Sequence, residues 1–451
     1  VTRPSRRFWM DRFRPPQLIA LSFAAAILIG TLILESPFTH EPGVRVTLLQ
    51  ALFTATSATC VTGLNVLDPG GTFNRAGEWT LLLLIQLGGL GLLTFGTLFA
   101  SLRGQRVGVE ERLRVAQQVN VTEFASVTRV VRGIFAFTLV SELVGTLLLM
   151  WRFVPAEGWG KGTFSALFHS VSAFNNAGFG LYPDNLISFA QDPLVLLTTS
   201  ALFILGGLGY LVLLSLSLYA AAPRRHPLAL NTRIIVWTTL GLIAVGAATV
   251  TALEWNNPGT LGPLGTAGKL LSGYYQGVSP RTAGFNSVDY GAMLPGSLFV
   301  TMLLMFVGGS PGSTAGGIKT TTFYVLLSSV WASVRGQAEN NVFGRRIEFD
   351  YVLRASVVAA LSLVVVTGGV FLLLVTNPQL PFVNLAFEGF SAFGTVGLSM
   401  NTTPQLNVAG QLIVIALMYL GRIGPLTFAI AFAQQGRLGV RYPADKSILI
   451  G

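Results

Sequence analysis

Four short stretches decide how this chain folds: Thr59-Cys60-Val61-Thr62-Gly63-Leu64, Asn175-Asn176-Ala177-Gly178-Phe179, Arg281-Thr282-Ala283-Gly284-Phe285 and Gly394-Thr395-Val396-Gly397-Leu398. Each contains a glycine followed by a large apolar residue. The glycines stand 115, 106 and 113 residues apart, close to a quarter of the 451-residue chain each time. Before each stretch lies a short apolar segment, 46–58, 163–174, 267–279 and 383–393. A helical span takes roughly 20 residues, so these segments enter a bilayer without crossing it. A second glycine mark follows each turn: Gly88-Gly89, Gly206-Gly207, Gly308-Gly309 and Gly421-Arg422 trail their turn glycines by 25, 28, 24 and 24 residues. Self-similarity at a fixed period marks a repeated structural unit. Here the unit reads helix, half-helix, glycine turn, helix, with repeats over 1–125, 126–226, 227–345 and 346–451.

Composition sets the medium. Apolar residues make up 51% of the chain and charged residues 11%, where a soluble domain carries about 25% charged. Runs able to cross a bilayer recur at 18–34, 79–102, 133–154, 193–219, 234–253, 296–330, 352–375 and 408–433. We expect an all-α polytopic membrane protein with eight spans. Alternating the connecting segments places 21 basic residues on the side of both termini and 6 on the other, with Lys319 and Arg422 inside apolar runs. The positive-inside rule then makes both termini cytoplasmic. The net charge of +10 is explained by this topology. The basic residues lie between apolar runs and form no stripe on a soluble face, so nucleic acid is not an expected partner. The run at 18–34, preceded by Arg3 to Arg14, is longer than a cleavable signal core and reads as a retained first helix. Cys60, the single cysteine, excludes an intramolecular disulfide.

Four helix–pore-loop–helix units around a pseudo-fourfold axis bring four extended turns together, and their carbonyl oxygens can replace a cation's hydration shell. Glycine permits the positive φ angles and close approach that such a ring needs. Half-helices with C-terminal ends toward the axis add about half a negative charge each. We therefore assign ion binding to Thr59, Cys60, Val61, Thr62 and Gly63, to Asn175, Asn176, Ala177 and Gly178, to Arg281, Thr282, Ala283 and Gly284, and to Gly394, Thr395, Val396 and Gly397. The carbonyls of Gly63, Gly178, Gly284 and Gly397 are the cation ligands. No acidic ring accompanies the turns, so selectivity rests on carbonyl dipoles, and Arg281 is expected to brace its turn from behind. One glycine per turn, against two in potassium-channel filters, predicts weaker discrimination among monovalent cations.

Below the turns, the run at 296–330 is interrupted between Gly308 and Gly317 by glycines and a proline that a continuous helix does not tolerate. Either a packing kink or a flexible loop that blocks and opens the pore explains it. The loop reading assigns gating to Gly308, Gly309, Gly312, Ser313, Thr314, Gly316, Gly317 and Lys319. The pattern from Gly312 to Thr320 departs from a phosphate loop because Ile318 separates the second glycine from Lys319. Arg422 stands where the other repeats carry glycine, which sets a fixed positive charge beside the pore or pairs it with carbonyls. Lys319 is either a second barrier charge or a residue that snorkels to the cytoplasm.

Three other functional classes fit the sequence less well. A coupled carrier also uses broken helices, but its ionisable relay would rest on Glu142 alone, with Glu254, Asp289 and Glu388 near the outer boundaries. An intramembrane enzyme is disfavoured because His40, His169 and His226 share no metal-ligand spacing. A passive scaffold leaves four turns in register unexplained.

These four turns, with Gly308-Gly309-Ser310-Pro311-Gly312-Ser313-Thr314-Ala315-Gly316-Gly317-Ile318-Lys319 and Gly421-Arg422-Ile423-Gly424-Pro425, resemble the Trk/Ktr/HKT potassium-transporter superfamily. The length, the spans and the ending Lys446-Ser447-Ile448-Leu449-Ile450-Gly451 are most similar to the KtrB-type membrane subunits of bacterial Ktr systems. The resemblance implies potassium as the transported ion, sodium as an activator in many such systems, and a gating role for the stretch 308–322. It further implies a homodimer in the cell membrane, on a cytoplasmic ring of KtrA-type subunits that bind ATP and ADP. This chain has no nucleotide fingerprint, so no cofactor is expected on it. The basic inner loops and the tail from Gln434 to Gly451 are the surfaces available to the ring or to anionic lipids.

Overall fold

The computed structural model describes residues 15–91, 127–337, 339–425 and 427. Among the described residues the regular elements are helices and one two-stranded hairpin, β1 (Asn340–Val342) and β2 (Arg345–Ile347). Four long helices, α1 (Pro15–Glu35), α4 (Val127–Glu157), α8 (Leu230–Glu254) and α12 (Phe349–Thr376), open four similar units. Each is long and apolar enough to cross a membrane. Each is followed by a short half-helix: α2 (Leu48–Thr59), α5 (Trp159–Phe174), α9 (Thr266–Val278) and α13 (Phe382–Gly394). These bounds lie within a few residues of the short apolar segments in the sequence.

After each turn the chain re-enters as α3 (Arg75–Leu90), α6 (Pro193–Leu208), α10 (Pro295–Phe306) and α14 (Val408–Ile423). Three of these starts are written in the residues before them. Asn74 accepts from the amides of Ala76 and Gly77, Asp192 from those of Leu194 and Val195, and Asn407 from that of Gly410. Such side chains satisfy amides that the first helical turn leaves unpaired.

The second helices, as far as they are described, are shorter than the apolar runs that contain them, and the run 296–330 is interrupted as expected. At 16, 16, 12 and 16 residues they are too short to cross, since 1.5 Å per residue yields less than a hydrocarbon core of about 30 Å. The run 193–219 is two helices, α6 and α7 (Tyr210–Ala221), bent by 96°. The run 296–330 is α10 and α11 (Thr320–Val334), separated by a loop. The physical reason is a left-handed glycine: Gly91, Gly209 and Gly424 have φ of 83°, 80° and 89°, and each caps its helix. The expected runs 79–102 and 408–433 continue into residues outside those described, as do Arg3 to Arg14 and the tail from Gln434. By length and composition, four described helices can span, or five if the bent pair counts as one.

Packing closes the units on one another. The second helix of each unit rests on the half-helix of the next: α3 on α5, α6 on α9, α10 on α13, and α14 back on α2. Four buried apolar clusters fill these four seams. The large residue after each turn glycine is the plug of a seam: Leu64, Phe179, Phe285 and Leu398 are all buried there. Outward, α1, α4 and α12 show apolar side chains such as Leu32, Leu143, Val364 and Phe371. Trp151 and Trp159, 77% and 76% exposed, lie where α4 gives way to α5, as aromatic residues at a bilayer boundary do.

Candidate functional site

The four turns meet. A Cβ placed on Gly63 would fall 2.5 Å from the Ala177 carbonyl oxygen, and one on Gly178 would fall 2.8 Å from Gly284 Cα. On Gly284 it would strike the Val396 carbonyl, and on Gly397 the Thr62 carbonyl, which brings the circuit back to the first turn. All four glycines have positive φ, at 98°, 68°, 76° and 94°. The residue two places earlier does so too in every turn: Val61 at 56°, Asn176 at 59°, Thr282 at 74° and Thr395 at 51°. Three of these are β-branched, the side chains for which this conformation is most costly. A strain shared by all four copies is held by the surrounding packing.

Hydrogen bonds direct the carbonyls. The amides of Thr62, Ala177 and Val396 donate back to the carbonyls of Ser57, Ser172 and Ser391, at 2.8, 2.8 and 2.9 Å, and that of Ala283 to Ser279 at 3.0 Å. The next amides, of Gly63 and Gly397, donate to the hydroxyls of Ser57 (3.0 Å) and Ser391 (3.1 Å). In a planar trans peptide the carbonyl points opposite to its N–H. Each turn therefore sends oxygens away from its half-helix. Among the described residues no hydrogen bond ends on the carbonyls of Val61, Thr62, Asn176, Ala177, Thr282, Ala283, Thr395 or Val396. Buried side-chain oxygens without a partner gather at the same place: Thr59, Thr62, Thr282 and Thr395, with the amide oxygens of Asn175 and Asn176. The serines six residues before the turn glycines, Ser57, Ser172 and Ser391, form a further repeat that the fixed offset in the sequence displays and that is absent from the expected site residues.

Cys60 and Gly394 also lie at the ends of their half-helices but turn outward: Cys60 packs in the seam between the fourth and first units, and Gly394 faces the Met305 carbonyl. Arg281 lies behind the third turn, where its guanidinium donates to the Gly308 carbonyl at 3.3 Å.

Beneath the turns lies the segment between α10 and α11. It is closed on itself: Gly308 N–H donates to Ile318 O at 2.9 Å and Thr320 N–H to Gly309 O at 3.0 Å. It is also fastened to the end of α6, because the amides of Ser310 and Thr314 donate to the carbonyls of Gly207 and Gly206, at 3.0 and 3.3 Å. Gly316 abuts the Thr395 side chain of the fourth turn, Gly309 abuts Ala315, and Gly312 and Gly317 have φ of 72° and 63°. Ser313 donates back to Ser310 O at 2.7 Å.

Arg422 reaches from the end of α14 to two other units. One guanidinium nitrogen donates to Thr314 O in the loop, and the other donates to Gly88 O at 2.5 Å and Gly89 O at 3.2 Å. The two sequence alternatives for Arg422 are thus compatible, since the carbonyls it pairs with include one of the loop. Lys319 folds over the loop and donates to Ala315 O at 2.6 Å. Both cations line a cavity of about 290 Å³ together with Gly88, Gly206, Ser313 and Thr314. Three of the acidic candidates are held elsewhere. Glu254 accepts from Thr260 and Asn257, both at 2.6 Å, and from Leu294 N–H; Glu388 accepts from Ser399 and Thr403; Asp289 accepts from Gly291 N–H.

Comparison with known proteins agrees with this architecture. Residues 17–439 match the TrkH family, described as a cation transport protein. The chain is 46% identical over 441 residues to the Ktr system potassium uptake protein B of Bacillus subtilis, covering 98% of this chain and 97% of that one. It is 38% identical to the protein of the same name from Vibrio alginolyticus, over 97% and 95%. To the potassium/sodium uptake protein NtpJ of Enterococcus hirae it is 37% identical, over 98% of each. The crystal structure of the potassium transporter TrkH from Vibrio parahaemolyticus superposes with a TM-score of 0.74 at 16% identity, covering 95% of this chain and 87% of that one, and so shares its fold. A match over nearly the full length, with relatives well above the identity at which families blur, makes this chain a member of the TrkH family of cation transport proteins.

Proposed function

We propose that this protein is the ion-conducting subunit of a Ktr-type potassium uptake system, with the four turns as its selectivity filter. One observation carries the reading: four backbone turns of the same conformation meet, with their free carbonyls turned away from the half-helices. Such oxygens offer a dehydrated monovalent cation the ligands it loses in leaving water. The half-helix ends behind them add negative potential. The names of the relatives supply potassium as the expected ion and, through the enterococcal protein, sodium as a second ion.

In the same proposal the segment 307–319 and Arg422 form the barrier below the filter, and opening requires the loop and the guanidinium to part. The subunit works as a homodimer in the cell membrane on a cytoplasmic KtrA-type ring, which carries the ATP and ADP response. Sodium acts as an activator.

The test is rubidium uptake into potassium-loaded proteoliposomes, with reversal potentials in mixed potassium and sodium. We expect uptake above that of empty vesicles and a preference for potassium. Gly284→Ala, whose methyl group would strike the Val396 carbonyl, is expected to lower the potassium preference at least tenfold. Equal permeation of potassium and sodium in wild type and variant alike would refute the filter.

A further inference from the structure

The second turn differs from the other three in carrying consecutive asparagines, and both are tethered to the segments that hold Arg422. The Asn176 amide nitrogen donates to the Thr314 hydroxyl at 2.8 Å and to Phe203 O at 3.1 Å. Thr314 is the loop residue whose carbonyl receives Arg422. The Asn175 amide nitrogen donates to Gln86 Oε1 at 2.8 Å and to Glu142 Oε1 at 3.0 Å, and Gln86 donates to the other carboxylate oxygen at 3.3 Å. Gln86 lies in the last turns of α3, next to Gly88 and Gly89, whose carbonyls receive the other side of Arg422. The Asn175 amide oxygen also lies directly against Gly89, where a Cβ would strike it.

Glu142 is the centre of the first tether. It is 5% exposed, in the middle of α4. Its two oxygens take one amide from the pore turn and one from α3, so it joins three elements of two units. An acidic side chain at membrane depth is costly and marks function. Its backbone is fixed as well, because the Glu142 carbonyl accepts from Ser170 of the half-helix at 2.7 Å.

From this geometry we infer that Glu142 is a positioning residue which, with Gln86, Asn175 and Asn176, locks the second filter turn to the seat of Arg422. Filter and barrier then move as one body: the guanidinium cannot leave Gly88 and Thr314 without disturbing the turn, and a disturbed turn loosens the guanidinium. This inference rests on the proposed barrier role of Arg422, and it differs from a proton-relay role for Glu142. A relay needs the titrating carboxyl, whereas positioning needs only the hydrogen bonds.

The experiment is a double-mutant cycle read by rubidium uptake without the regulatory ring. Glu142→Ala and, as an independent break of the second tether, Asn176→Ala are expected to raise basal uptake at least fivefold and to lower the potassium preference. In an Arg422→Ala background neither is expected to raise uptake further, because the seat no longer holds anything. Glu142→Gln alone would set its amide nitrogen against the donating Gln86 amide. In the exchanged pair Glu142→Gln/Gln86→Glu, the amide now at position 142 donates to the carboxylate now at position 86, and both side chains still accept from Asn175. Uptake of the exchanged pair is therefore expected within twofold of wild type. If the exchanged pair behaves like Glu142→Ala, a carboxylate at position 142 itself matters and the positioning role is wrong. If both alanine variants act equally in the two backgrounds, or lower uptake in both, the coupling is absent. If Arg422→Ala alone leaves uptake unchanged, the barrier reading falls and takes this inference with it, a result distinguishable from the other two. Should Glu142→Ala fail to reach the membrane, Asn176→Ala and Gln86→Ala decide the matter in the same assay.

Discussion

At the residue scale, Arg422 shows how one side chain joins two jobs. Its guanidinium gives hydrogen bonds to three backbone carbonyls on two units, and its fixed charge lines the cavity beneath the four turns. A cation passing at about 6 Å in an effective dielectric near 20 is repelled by roughly 3 kcal/mol. That repulsion slows passage on the order of a hundredfold. Arg422→Ala is therefore expected to raise rubidium uptake in proteoliposomes by 10- to 100-fold at a fixed gradient, and unchanged uptake would remove the barrier assignment. Arg422→Lys, which keeps the charge but cannot span three carbonyls, is expected to lie between the two. The position was legible because glycine stands there in the other repeats. Its partners were not, because they come from residues some 108 and 334 positions away in the chain.

At the element scale, the second helices decide the inner half of the molecule. A helix of 16 residues that ends on a left-handed glycine cannot continue straight, and at Gly209 the chain leaves at 96°. The corner also supports the loop: a Cβ on Gly209 would lie 3.1 Å from the Gly312 carbonyl and 3.3 Å from Ser313 Cα. Gly209→Ala thus pairs an alanine forced to φ 80° and ψ 151°, a region essentially confined to glycine, at a cost of about 1–3 kcal/mol, with pressure on the loop. We expect a lower thermal midpoint in detergent and higher basal uptake. An unchanged midpoint would show that the corner carries no strain. The half-helices were legible because a dozen apolar residues cannot span. The glycine caps were not, although Gly91, Gly209 and Gly424 each stand three residues after a marked glycine. Hydropathy continues through them, and only backbone conformation distinguishes a C-cap glycine from one used for close packing.

At the scale of the whole molecule, the closed order of contacts, α3 to α5, α6 to α9, α10 to α13 and α14 to α2, sets the second helix of the preceding unit against every half-helix, and four apolar clusters fill the four seams. The charge asymmetry of the connecting segments predicts an orientation with both termini inside. Cysteine labelling checks it, since Cys60 is buried and remains silent. Lys161→Cys, exposed at the start of α5, is expected to react with a membrane-impermeant maleimide applied outside intact cells. Arg225→Cys, exposed beyond α7, is expected to react only after permeabilisation. The reverse pattern would invert the topology.

The sequence by itself determined the repeat, the half-helices, the glycine turns and the odd arginine, because each is a matter of local composition at a regular period. Only the tertiary structure decided which carbonyls hold Arg422, that Val61, Asn176, Thr282 and Thr395 take left-handed conformations, and that Glu142 belongs to the second turn. Those outcomes depend on side chains and backbone brought together from different units. A left-handed valine or threonine is unfavourable taken alone and is stabilised by packing across a seam. No local stretch of sequence contains that packing.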